Sequence, residues 1–325
     1  VKARALTIVR YVLLVVVVAF AIAFFARQWG EISEVIAGIP VGSSILSFAV
    51  MLLGMLAGTL SWVTLLNGLG HVVPVPRGAQ IMLVGQLGKY VPGSVWAYVM
   101  QMELGRQYGV ARARVLVTAL YAAGIGVVAS LVLGVSIVPE LAADQPAFAW
   151  LYVLLPIGLV CLHPRVMTGL SNLALKIFRR PPLEHRVRFR TILIAVGWAV
   201  LSYVLYGVHL QLLVESAPSP LSVIMLGAAL SLGFTASLIA FVLPSGVGVR
   251  EFVVIAVLVS MVSLADASAV ALVSRAMFTA GDLLLAGVAV IVVLVLRRRL
   301  HQQDEATSEY GELDDGAESG DKAAP

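Results

Sequence analysis

Five ionisable residues stand inside otherwise apolar stretches of this chain: Lys89, Arg250, Glu251, Arg275 and Asp282. Two of these stretches share a design. Gly85 to Trp96 reads GQLGKYVPGSVW and places Lys89 before a Pro92-Gly93-Ser94 break; Leu243 to Glu251 reads LPSGVGVRE and places Arg250 and Glu251 after Pro244, Ser245, Gly246 and Gly248. The chemistry such a pattern offers is anion binding. Glycines at 246 and 248 permit a tight turn, and a helix restarting near Val249 presents unpaired N–H groups and its positive dipole end. A guanidinium at Arg250 can grip a phosphate at two oxygens, and Glu251 can orient Arg250 or carry a proton. The plainer alternative is that Arg250 and Glu251 sit at the interface and cap helices. Lys89 is either a phosphate contact beside a helix restarting at Ser94 or a side chain that snorkels to the surface.

Arg275 and Asp282 are seven residues apart, hence on one face of a helix with Phe278, which suits an inward polar stripe or an intramembrane ion pair. Trp96, Tyr98 and Tyr90 are candidates to line a lipid groove, with Tyr98 read as an interfacial anchor. The five histidines show no metal-ligand spacing, and only His209 falls in an apolar run. No phosphate-binding loop or nucleophile elbow is present, so neither a cofactor nor catalysis is expected. Cys161 is the single cysteine and lies in an apolar run, where it reads as a small buried hydrophobe.

What must position these residues is a bundle of membrane helices. The 325 residues are 60% hydrophobic and 12% charged, with a mean hydropathy of +0.98, outside the range of soluble domains. The fold class is therefore all-α and polytopic. A hydrocarbon core of ~30 Å needs ~20 apolar residues of helix. On that measure crossings are expected at Ile8 to Ala26, Ser44 to Leu66, Val115 to Val138, Ala149 to Leu162, Thr191 to Val214, Leu221 to Leu243, Phe252 to Leu264 with part of the preceding motif, and Ala269 to Leu296. That makes about eight, plus a re-entrant or broken helical pair over 79 to 100. The first crossing is long enough to span and lacks a cleavage site, so no removable signal peptide is expected.

Charge sets the orientation. Residues 163–190 carry seven Lys/Arg against one acid and read as a basic cytoplasmic linker between halves 1–162 and 191–299 of a 1–299 transmembrane domain. Both termini are expected to be cytoplasmic, in a cell membrane. The tail 300–325 holds eight of the 18 acids and almost no large apolar residues, the composition of a disordered segment. Because the basic groups follow the membrane topology, nucleic acid is not an expected partner. The two breaks lie 152 residues apart, counted from Pro92 to Pro244, one in each half. Such a two-half pseudo-repeat of interrupted helices is the sequence pointer to a transport site.

At GKYVPGSVW and LPSGVGVRE the chain resembles the flippase-like transmembrane region of lysylphosphatidylglycerol synthases, as a stand-alone member without the aminoacyl-transferase domain. The second motif, Pro-x-Gly-x-Gly-x-Arg-Glu, is intact as Pro244, Gly246, Gly248, Arg250 and Glu251. In the first, a charged Asn-x-x-Pro-x-Arg-x-Gly-Glu-x-x-Arg pattern in the family, this chain has Lys89, Pro92, Ser94, Trp96, Ala97 and Met100, and only the proline is kept. The resemblance covers about residues 1 to 300 and implies movement of lipids or lipid-linked precursors between leaflets.

The function expected is therefore translocation or binding of an anionic phospholipid or polyprenyl-phosphate-type lipid. Without a nucleotide-binding loop, movement is passive or gradient-driven, with Glu251 the embedded acid to consider first. The alternatives are an intramembrane lipid-phosphate transferase and a non-transporting scaffold for a partner glycosyltransferase or synthase.

Overall fold

A computed structural model describes residues 29–70, 72–90, 95–135, 150–177, 187–214, 220–239 and 248–320. The described residues are helical with no strand, as the composition requires. They form α1 (Trp29–Gly38), α2 (Val41–Gly68), α3 (Val75–Gln86), a 3-10 turn (Leu87–Tyr90), α4 (Trp96–Gln107) and α5 (Arg112–Gly134). These are followed by α6 (Trp150–Cys161), α7 (Pro164–Ile177), α8 (Phe189–Gln211), α9 (Pro220–Ile239), α10 (Val249–Leu258) and α11 (Leu264–Gly320).

Among the described residues, α2, α5, α8 and α11 up to Leu296 are each long and apolar enough to cross a membrane. The expected crossing at Ala149 to Leu162 is a bent pair: α6 and α7 meet at 82° around His163, and together have the length of one span. The expected span Leu221 to Leu243 is the shorter apolar helix α9. The expected span Ile8 to Ala26 lies outside the described residues. Of the crossing expected over Phe252 to Leu264 with part of the preceding motif, residues 240–247 lie outside the described residues. Within it α10 has only ten residues, a rise of ~15 Å or half the hydrocarbon core. The chain turns because Ser260 bonds back to the Val257 carbonyl (2.7 Å) and Ser263 caps the next helix, accepting the Asp266 N–H at 3.1 Å and donating to the Asp266 carboxylate at 2.6 Å. That cap starts α11 at Leu264 instead of Ala269.

Residues 79 to 100 do form the expected interrupted pair. Neither α3 nor α4, at 12 residues each, is long enough to cross alone. Asn67 fixes the entry to α3 by bonding both the N–H (2.8 Å) and the carbonyl (3.1 Å) of Val73. Within the acidic tail, α11 runs on to Gly320, and residues 321–325 lie outside the described residues. Residues 297–306, RRRLHQQDEA, are mostly strong helix formers that extend a helix already nucleated.

Without a hydrophobic force between helices in lipid, close approach and polar bonds hold the bundle. The α2–α8 contact, the most extensive between helices, carries Ser61 donating to the Ala195 carbonyl (2.8 Å) and Ser47 donating to the His209 carbonyl (2.9 Å). Where α8 crosses α9, a Cβ on Gly207 would lie 2.0 Å from the Val223 carbonyl oxygen and one on Gly227 would lie 2.6 Å from that of Tyr203. Backbone touches backbone there, and only glycine fits. Ser130 and Thr235 join α5 to α9 at 2.8 Å.

Candidate functional site

A cavity of about 580 Å³ opens among α2, α3, α4, α5, α8, α9, α10 and α11, within the size range of ligand sites. Lys89 and Tyr90 reach it from the 3-10 turn, Arg250 from α10, and Arg275, Thr279 and Asp282 from one face of α11.

On that face Arg275 and Asp282 do not pair with each other, as the alternative of an ion pair within α11 required. Each is taken by a partner from a different half of the chain. Lys89 Nζ lies 2.6 Å from Asp282 Oδ2, and the Tyr90 hydroxyl donates to the same oxygen at 2.5 Å. Arg275 Nη1 lies 2.5 Å from Glu251 Oε1. The seven-residue separation is ~10.5 Å of rise, too far for direct contact but right for meeting both interrupted motifs.

Of the two roles open to Glu251, orienting Arg250 is not the one its contacts serve. Successive helix residues point ~100° apart, so Glu251 turns to Arg275 and to its own helix start, where its Oε2 accepts the Gly248 N–H at 2.8 Å. Gly248 has φ 86°, the left-handed region that glycine enters without strain. One helix-start donor is thus already satisfied from within the chain.

Arg250 faces the other way. It is 7% exposed, and its guanidinium carbon sits 4.5 Å from the ring centroid of Phe234 and 4.2 Å from that of Phe278. Among the described residues no carboxylate lies within ion-pair distance of it. Its hydrogen bond is a long one, Nη2 to Ser274 Oγ at 3.5 Å. Aromatic faces hold a cation in place without neutralising it.

Behind Arg250 runs a polar chain that the sequence did not announce. Ser274 Oγ lies 3.0 Å from His209 Nε2, and His209 Nδ1 lies 3.2 Å from the Ser47 carbonyl, which can only accept. Ser47 Oγ also lies 2.7 Å from Nδ1, so a hydroxyl meets each imidazole nitrogen, and the Ser274 oxygen accepts from Arg250. Both imidazole nitrogens are satisfied by uncharged partners. His209 is wholly buried and edge-on to Phe278 at 5.6 Å.

The other expected site residues divide. Pro92, Gly93, Ser94, Pro244, Ser245 and Gly246 lie outside the described residues. Trp96 does not line the cavity: it opens α4 with 45% of its surface exposed, because Ala97, Tyr98 and Gln101 take the inward face. Tyr98, expected as an interfacial anchor, is on the cavity wall. Two more lining residues carry polar atoms with no protein partner among the described residues: the indole N–H of Trp62 and the side-chain oxygen of Gln101, both buried. Nothing in the sequence marked them, since each sits among apolar neighbours at a position set only by helix phase.

The sequence profile of the family described as Lysylphosphatidylglycerol synthase TM region matches residues 8–286, a stretch that holds both motifs and all five ionisable residues of the site. This chain belongs to that family. No curated protein matches it. It is a multi-pass membrane protein of a lipid-related family, and α11 leaves the matched region just after Asp282.

Proposed function

We propose that this protein binds an anionic phospholipid or a polyprenyl-phosphate-type lipid by its phosphate and carries it between leaflets of the cytoplasmic membrane. The observation that supports this reading most is Arg250, a buried guanidinium on a cavity wall. Two cation–carboxylate pairs flank it, yet among the described residues it has no carboxylate of its own. A fixed charge without a counter-ion in a low-dielectric site is costly unless an anion visits it. Lys89, Tyr90, Arg275 and Asp282 form the polar wall beside it, and lining residues such as Met55, Leu83 and Leu238 offer an apolar surface for the lipid's upper chain. The basic segment 163–190 is assigned to the cytoplasmic side by its seven Lys/Arg.

The test is leaflet exchange. Purified protein is reconstituted into liposomes holding a labelled anionic phospholipid, and an impermeant quencher reports how much label reaches the outer leaflet. Wild type should speed exchange, and Arg250→Ala should abolish it while eluting as a folded species. Equal exchange by Arg250→Ala, or none by wild type with any tested lipid, would count against the reading and favour a scaffold for a partner glycosyltransferase or synthase.

A further inference from the structure

We infer that α7 is an in-plane helix at the cytoplasmic surface of the membrane, with Leu170 and Leu173 in the acyl layer and Arg165 and Lys176 on an edge that gathers the anionic headgroups of that leaflet. Among the described residues none of α7 lines the cavity. This surface is therefore a second, separate place where the protein meets lipid, and it does not depend on what the cavity binds.

The chain changes character at His163. Before it α6 reads WLYVLLPIGLVC, apolar throughout; after it α7 reads PRVMTGLSNLALKI and mixes apolar with polar and basic residues. Pro164 has no N–H to continue the α6 ladder but suits the first position of a new helix, and the two axes meet at 82°. A helix turned through that angle from a spanning direction runs along the membrane surface, here for ~21 Å over its 14 residues. Its depth is set by α5. Met167 and Leu175 share a core cluster with Val117 and Tyr121, close to the start of α5, where Arg112 and Arg114 mark the basic, cytoplasmic end.

At ~100° per residue the side chains of α7 fall into three sets about a third of a turn apart. Met167, Ser171 and Leu175 are buried against the bundle, and the Ser171 hydroxyl is satisfied by the Met167 carbonyl at 2.7 Å. Leu170 and Leu173 form the second set, 54% and 57% exposed. Arg165 and Lys176 form the third and are exposed as well. A helix on a water-soluble protein needs only two faces, one for the core and one for water. A third, apolar and uncovered, fits a helix lying where protein, hydrocarbon and water meet. There the leucines sink among acyl chains while the long basic side chains reach up to the headgroups. Charge selects which headgroups: residues 163–190 carry seven Lys/Arg against Glu184 alone, a complement to an anionic leaflet surface that zwitterionic lipids do not supply.

The test uses the full chain in lipid nanodiscs, in a Cys161→Ala background, with a bimane label at Leu170→Cys, Leu173→Cys or Lys176→Cys. Brominated acyl chains should quench the label at Leu170→Cys and Leu173→Cys more strongly than at Lys176→Cys, and aqueous iodide should show the reverse order. Bromine is then carried only on a minor lipid, either phosphatidylserine or phosphatidylcholine at the same fraction. Quenching at Leu170→Cys should be about twofold greater with the serine lipid, and Arg165→Gln with Lys176→Gln, or high salt, should shrink that excess. Arg250→Ala should leave the excess intact. Iodide reaching Leu170→Cys as readily as Lys176→Cys overturns the in-plane placement. So does protection of Leu170→Cys from both quenchers, the result expected if a second copy or a partner protein covers this face. Equal quenching by the two brominated lipids overturns the charge selection, and an excess lost in Arg250→Ala assigns it to the cavity instead. The comparison between lipids in the single-cysteine proteins decides even where the Gln variants do not fold.

Discussion

Lys89 Nζ sits 2.6 Å from Asp282 Oδ2, closing a gap of 193 residues between the first interrupted motif and the last helix. Asp282 is 4% exposed and Lys89 27%, so breaking the contact leaves the carboxylate as the more stranded partner. Lys89→Met should destabilise the protein by about 3 kcal/mol, because a buried charge without its partner keeps its desolvation penalty. Lys89→Met with Asp282→Asn should recover most of that. Unfolding midpoints in detergent for the two single variants and the double variant form the cycle that checks it; additive losses would show that the contact carries no coupling.

Arg250 is held by ring faces as well as by charge, which separates it from a generic cation. Arg250→Lys keeps the charge but loses the planar group that lies over Phe234 and Phe278, so exchange should fall roughly tenfold, corresponding to ~1.4 kcal/mol. Phe278→Leu removes one of the two rings and should reduce exchange in the same direction by a smaller factor. Equal rates for Arg250→Lys and wild type would mean that the rings only fill space.

At the turn between α4 and α5, Glu103 accepts from Arg106 (2.9 and 2.6 Å) and from Arg112 (2.8 Å). These hydrogen bonds, that from Arg106 first, hold its carboxyl at about 2, below the ordinary value of 4.5. A depressed carboxylate contributes stability that is fully present above its unfolded value and is lost as the pH falls towards its folded one. The difference in unfolding midpoint between wild type and Glu103→Gln should be constant from pH 6 to 8 and shrink progressively below about pH 5. The Glu103 side chain is 44% exposed and its partners more so, so the effect is small and should weaken further in high salt.

Orientation is open to labelling. In a Cys161→Ala background, Lys176→Cys on the exposed side of α7 should react with an impermeant thiol reagent only after cells are permeabilised. Ala142→Cys, in the loop expected outside, should react in intact cells. The opposite pattern would invert the assignment made from Lys and Arg counts.

Much of the fold was readable because apolar length and interruption are local properties. The long spans, the broken pair over 79 to 100 and the turn at Gly248 all follow from a few neighbouring residues. The partners of the charges were not, with one instructive exception. Arg250 and Glu251 are adjacent in sequence and invite pairing, yet helical phase already forbids it, and the same rule puts Arg275 and Asp282 on one face. Which residue meets each of them depends on how helices dock, and no local signal carries that. His209 stood out as the only histidine in an apolar run, but its bonds to Ser47 and Ser274 join helices 162 and 65 residues apart in sequence. The Ser263–Asp266 cap was legible and fixes a boundary that hydropathy alone put five residues too late, at Ala269 instead of Leu264.

Two turns of α11 carry one acceptor for the first motif and one donor for the second, on a helix with no proline or internal break between them. The two ion pairs are therefore not separate latches. A roll of this helix by a quarter turn would withdraw Asp282 from Lys89 and Arg275 from Glu251 in the same stroke, like two teeth on one camshaft. Opening the cavity on one side without disturbing the other requires the short helices to move while α11 stays fixed.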